Sequence, residues 1–166
     1  MKDAPIFYSF DISKNKFERE NLYFPTEYLN SEYFNNEFSY CFDGKNIVIS
    51  PSHSNDIWIT DLSFKSLKIS KEAKSDNFRK FLVTGKRPKD MQEALHNKCT
   101  NSYYYGIYYD KYKEVYYRVL MPGRDMKIND KNLVNEDTFP KTICIIILDK
   151  SLNKIGETCF EDNEFT

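Results

Sequence analysis

One short pattern occurs three times in this chain and limits what it can fold into. Ile6-Phe7-Tyr8-Ser9-Phe10 runs into Asp11-Ile12-Ser13-Lys14, Ile57-Trp58-Ile59-Thr60 into Asp61-Leu62-Ser63-Phe64-Lys65, and Ile145-Ile146-Ile147-Leu148 into Asp149-Lys150-Ser151. Each is a run of β-branched and aromatic residues that ends in Asp-x-Ser with a lysine close by, the pattern of a strand closed by a polar turn. Aspartate and serine side chains bond the backbone N–H groups just ahead of them. Turn chemistry is therefore the role assigned to Asp11, Asp61 and Asp149, in preference to catalysis.

A hairpin precedes the second and third copies. Phe38 to Ile49 has apolar arms around Asp43-Gly44, a strong short hairpin signal, and Tyr105 to Val119 has aromatic arms around Asp110-Lys111. Hairpin, loop, strand, Asp-x-Ser turn and final strand make a four-stranded antiparallel unit, and such units repeated radially are propeller blades. The copies span about 1–30, 34–70 and 103–160 of a single domain, 1–166. Asp11 and Asp61 are 50 residues apart, but Asp61 and Asp149 are 88 apart, which places inserted loops at about 70–100 and 122–141. Within the first loop, Asp90 as N-cap, Glu93 three residues on, and Met91, Ala94 and Leu95 on one face predict a short helix. The predicted fold is all-β: an incomplete β-propeller of about two to three four-stranded antiparallel blades, with a short helix in an inserted loop. Its middle strands are expected to be covered on both faces, so that aromatics pack both ways.

Composition excludes several classes. Twenty-four basic residues against 25 acidic ones leave a net charge of −1, with no electrostatic pull toward nucleic acid. The longest apolar run, Ile143 to Leu148, is far short of the roughly 20 residues of a spanning helix, so no transmembrane segment is expected. Cys41, Cys99, Cys144 and Cys159 are widely spaced, and with only His53 and His96 beside them they lack zinc-ligand pairs. They are read as buried free thiols. Met1 to Pro5 passes into Ile6 without the parts of a secretory signal, which by itself predicts a cytoplasmic product.

Candidate chemistry is sparse. Tyr105, Tyr109 and Tyr117 belong to a tyrosine cluster able to stack on sugar rings, with core packing as the simpler role. Arg118, set among these rings, has the charge to hold an anion, although stacking on a tyrosine or pairing with Asp110 is the stronger expectation. His53 and Asp56 share the loop 51–56, where a proton acceptor or metal ligand would sit on a blade rim. No catalytic residue, cofactor site or metal site is assigned.

Phe38 to Lys68, the tyrosine-rich hairpin ending in Tyr116-Tyr117-Arg118, and Ile143 to Glu157 resemble the six-bladed, TolB-like β-propeller lipoproteins of unknown function from gut anaerobes. The resemblance implies a cell-envelope product, periplasmic or anchored to the outer membrane. It also implies more blades than 166 residues supply, since six blades of roughly 40–50 residues need about 240–300. The chain is then expected to be a propeller fragment that self-associates through exposed blade faces. A non-enzymatic binding or scaffold module, facing a protein or glycan, is the leading function. The alternatives are a fragment of a propeller hydrolase or lyase acting on glycans, and a truncated remnant without independent function.

Overall fold

In a computed structural model of the protein, which describes residues 5–20, 22–24, 37–70, 73–79, 88–124 and 142–161, the chain is all-β apart from one short helix. The strands form three antiparallel sheets. β1 (Tyr8–Asp11) and β2 (Lys16–Arg19) make a ribbon. β3 (Phe38–Phe42), β4 (Asn46–Pro51), β5 (Ile57–Asp61) and β6 (Lys68–Ser70) make a four-stranded meander in chain order. β7 (Tyr103–Asp110), β8 (Val115–Met121), β9 (Ile143–Leu148) and β10 (Lys154–Phe160) make a second meander of the same order.

The turns explain why strands stop where they do. Asp11 Oδ1 accepts from the amides of Ser13 and Lys14 at 2.9 and 3.1 Å. Asp61 Oδ1 accepts from Ser63 N at 2.9 Å, and Asp149 Oδ1 from Ser151 N and Asn153 N at 2.8 Å each. Asp43 and Asp110 do the same at the hairpins, each to two amides. Each turn then reverses through one residue in the left-handed region: Asn15, Gly44, Phe64, Glu114 and Leu152 have φ of 50, 96, 53, 56 and 64°. Only Gly44 is free of Cβ strain there. Leu152 is held in its conformation by burial of its side chain in the core.

The sheets stack face to face. One face of the first meander carries Cys41, Val48, Ile57 and Ile59, and packs on Tyr104, Ile107, Tyr116, Leu120, Cys144, Ile146 and Leu148 of the second. Its opposite face carries Ile47, Ile49 and Trp58, covered by Ile6, Leu22 and Phe24 from the chain around the β1–β2 ribbon. The middle strands β4 and β5 of the first meander are thus covered on both faces, as expected. In the second, β8 and β9 alternate strictly between buried and half-buried residues. The expectation that aromatics there pack equally both ways is corrected, because Tyr116, Arg118 and Leu120 point into the core while Tyr117 and Val119 lie half-buried on the other face.

The cysteine reading is corrected as well. Cys144 and Cys159 are disulfide-bonded, and Cys41 and Cys99 lie outside that disulfide. The two cysteines lie directly opposite each other on β9 and β10, where the Asp149 turn brings them.

The helix α1 (Met91–Thr100) runs one turn past the predicted segment. Asp90 caps it, accepting from Glu93 N at 2.8 Å, while Glu93 reaches back to Lys89 N rather than to the cap itself. Met91 is exposed instead of sharing an apolar face with the half-buried Ala94 and Leu95, and His96, expected at the surface, is half-buried too. Gly123 passes so close to the helix end that a Cβ there would lie 2.2 Å from Thr100 O. Most of the predicted insertion at 122–141, and residues 80–87 of the other, lie outside the described residues.

The alternation sets an expected outcome. Ile146→Ala, on the core face, is expected to cost about 2–5 kcal/mol in urea denaturation, and Ile147→Ala, on the half-buried outer face, about 1 kcal/mol or less. Equal costs would show that the outer face is buried too.

Candidate functional site

The densest polar construction lies where the two meanders meet, and its centre is Arg118. β8 aims this side chain at the first meander, where it is wholly buried. A guanidinium does not lose its proton in a protein, so its burial requires acceptors for its donors. Nε donates to Ser50 Oγ at 2.9 Å. Nη1 donates to the carbonyls of Asn55 and Ala73 at 2.8 and 3.1 Å, and Nη2 to those of Ser54 and Asp56 at 2.7 and 3.2 Å. The Tyr104 ring lies under the charge, 3.3 Å from Cζ to the ring centroid.

Tyr104 extends the junction. Its amide donates to Ser52 O at 2.8 Å, and its hydroxyl donates to Asn55 Oδ1 at 2.9 Å and accepts from Ser75 N at 3.3 Å. Phe78 stacks against its ring. Burial pushes the Tyr104 phenol up, against the pull of the Arg118 charge. A second tie between the sheets is Tyr116 Oη, which donates to Asp43 Oδ2 at 2.7 Å. Burial raises the Tyr116 pKa, and the Asp43 carboxylate raises it further.

Glu157 on β10 anchors the segment 73–79 to the second meander. It accepts from Ser75 Oγ, from Asp76 N at 2.9 Å and from Asn77 Nδ2 at 3.0 Å, and it pairs with Lys154, which also reaches Asp76 at 2.7 Å. Burial opposes ionisation of Glu157, but the bonds from Lys154, Ser75, Asn77 and the Asp76 amide outweigh it and hold the carboxyl at about 2.

The structure brings some sequence candidates together and separates others. Arg118 meets the loop of His53 and Asp56, through backbone carbonyls rather than through the Asp56 carboxylate. It stacks on a tyrosine as expected, while Asp110 closes its own turn. His53 is half-buried, and burial lowers its pKa against the opposing charge of Glu37. The tyrosines divide: Tyr109 packs on Tyr116 toward the core, 4.9 Å between ring centroids, Tyr117 lies half-buried on the opposite face, and Tyr105 is largely exposed beside a bulge. They do not converge on one surface. The group of potential metal ligands found among the described residues is Cys144, Glu157 and Cys159, and its sulfurs are joined in the disulfide.

Asn55, Ser75 and Glu157 were not singled out as site residues by sequence reasoning, and Tyr104 only as one member of the tyrosine cluster. Glu157 had no local signal, because its partners lie about 80 residues away. The disulfide did have one: Cys144 and Cys159 flank the Asp149 turn and face each other once that turn is drawn as a hairpin.

Stacked antiparallel meanders locked by a buried arginine define this as an all-β fold. The family model described as "Domain of unknown function (DUF4221)" matches residues 5–159, and the chain belongs to that family. A crystal structure of a DUF4221 member from Bacteroides vulgatus is similar over 93% of this chain and 43% of its own, with 22% identity and a TM-score of 0.75. The chain thus spans less than half of that protein's length. No curated protein matches the chain significantly.

Glu157 makes acid stability a readout of this site. Its pKa is depressed in the fold, so its contribution is complete above the ordinary value near 4.5 and is lost as pH falls toward about 2. Glu157→Gln is expected to cost about 2–3 kcal/mol at neutral pH, the difference from the native chain shrinking to near zero between pH 4.5 and 2. A pH-independent difference would contradict the ion-pair role.

Proposed function

We propose that the chain is a scaffold segment of a β-propeller of the bacterial cell envelope, a non-enzymatic module that presents loops and sheet faces to a protein or glycan. The observation that carries this reading is the stacking of consecutive meanders. The second four-stranded sheet packs on the first, and the first on the chain that flanks the β1–β2 ribbon, an order of stacking like that of neighbouring blades of a propeller. The solved family member has more than twice the length matched here, which is room for further blades and supports the six-bladed resemblance.

Two further observations support the role and the compartment. Among the described residues Asp11, Asp43, Asp61, Asp110 and Asp149 all bond the amides of their own turns, so these carboxylates serve architecture. The Cys144–Cys159 disulfide favours an oxidising compartment such as the periplasm over the cytoplasm that the first residues suggested. Exposed Tyr105, Tyr108 and Tyr112, with the His53–Asp56 loop, are the surfaces on which a glycan or protein contact is proposed. Self-association is proposed through the outer face of the second meander, around the exposed Tyr108 and the half-buried Tyr117 and Ile147.

Thiol trapping tests the compartment. Protein alkylated under denaturing conditions during lysis of the native host, so that buried thiols react as well, is expected to show Cys41 and Cys99 modified and Cys144 and Cys159 protected. The Cys144→Ser, Cys159→Ser double variant is expected to lose about 3 kcal/mol, for a 15-residue closed loop. Four alkylated cysteines in the native protein would overturn the envelope reading.

A further inference from the structure

The β1–β2 ribbon is built like half of each meander. Its turn, Asp11-Ile12-Ser13, makes the same carboxylate-to-amide bond as Asp61-Leu62-Ser63 and Asp149-Lys150-Ser151, at 2.9, 2.9 and 2.8 Å. In both meanders that turn joins the third strand to the fourth, and the third strand pairs along its other edge with a hairpin closed by Asp43 or Asp110. β1 stands where β5 and β9 stand, yet among the described residues it pairs only with β2. The bond from Glu20 N to Phe7 O makes residues 7, 9 and 11 the ones bonded to β2. By antiparallel alternation, the amides of Tyr8 and Phe10 therefore face the open edge.

Next to that edge the first meander is bare. The face covered by Ile6, Leu22 and Phe24 continues along β3 through Tyr40 and Phe42, since Tyr40 is paired with Ile49 and Phe42 with Ile47. Ile49 is fully buried and Ile47 9% exposed, whereas Tyr40 and Phe42 are 60% and 50% exposed. Phe7 already touches Tyr40, ring centroids 5.6 Å apart, so the bare strip begins where the ribbon's cover stops. On the other face of this meander it is the first strand of the next unit, β7, that lies over β3 and β4.

We infer that the β1 edge and the Tyr40–Phe42 strip together form a docking site for an antiparallel β-hairpin, the missing first half of a four-stranded unit. Its occupant is a segment of the longer family protein beyond the 43% that this chain matches. The hairpin would take the amides of Tyr8 and Phe10 into its ladder and cover Tyr40 and Phe42, as β7–β8 covers Cys41 and Val48. The inference rests on reading the chain as stacked four-stranded sheets and is independent of the compartment. Reduced cysteines would leave it standing.

A tethered form of the full chain tests it. A second copy of residues 37–56, a hairpin with its own connection to a following strand, is fused ahead of Met1, so that it precedes β1 as it precedes β5. Hydrogen exchange at the Tyr8 and Phe10 amides is expected to slow at least tenfold relative to the native chain. Phe10→Pro, which removes an outward N–H and leaves the β2 ladder bonded, is expected to abolish the slowing at Tyr8. Tyr40→Lys with Phe42→Lys is expected to do the same while leaving the untethered chain folded. Unchanged exchange at Tyr8 and Phe10 in the tethered chain would overturn the inference, as would slowing that survives both sets of substitutions.

Discussion

A buried arginine with five donors to place governs how the two meanders meet. Arg118 enters the junction from β8, and Ser50, the carbonyls of residues 54–56 and the carbonyl of Ala73 surround it. Every acceptor lies outside its own sheet. The charge is therefore tolerable in the interior only while the first meander, its loop and the segment at 73 are all in place. Apolar contact between the sheet faces supplies the larger share of the driving force but no fixed angle or register. The guanidinium fork supplies the geometry, because its donors meet their acceptors in one arrangement only.

The rest of the polar chemistry serves the same end. Aspartates terminate strands, and their carboxyls are held below the ordinary range: Asp11 by the Ser13 and Lys14 side chains, Asp61 by Ser63, Asp110 by the Lys113 amide and Asp149 by Asn153. Cys41 is pushed up to about 12 by burial and the nearby Asp43 carboxylate, which makes its thiol inert at physiological pH. Among the described residues, the strongly perturbed groups named here are thus turn and core groups, which supports the proposed scaffold role.

What the sequence made legible was local. Asp-x-Ser turns, the Asp43-Gly44 hairpin and the Asp90 cap each act within a few residues, so both meanders and the start of the helix were readable. Contacts made across 45–82 residues were not. Arg118 was recognised as a charge among rings but not as the partner of the 50–56 loop, and nothing local marked Glu157 as the anchor of Ser75 and Asn77. The disulfide was missed because the cysteines were weighed by spacing and not by the hairpin between them. The strict alternation of β8 and β9 was missed because the same residue types, Ile, Val and Tyr, line the buried and the half-buried face.

If Arg118 sets the junction, the two meanders should unfold as one unit only while it is present. Urea denaturation of the native chain and of Arg118→Met, each followed by Trp58 fluorescence for the first meander and by far-ultraviolet dichroism for the whole, measures this directly. The account predicts coincident transitions in the native chain and, in the variant, a Trp58 transition at clearly lower urea than the dichroism midpoint. Coincident transitions in both proteins, with a midpoint shift worth less than about 1 kcal/mol, would contradict it.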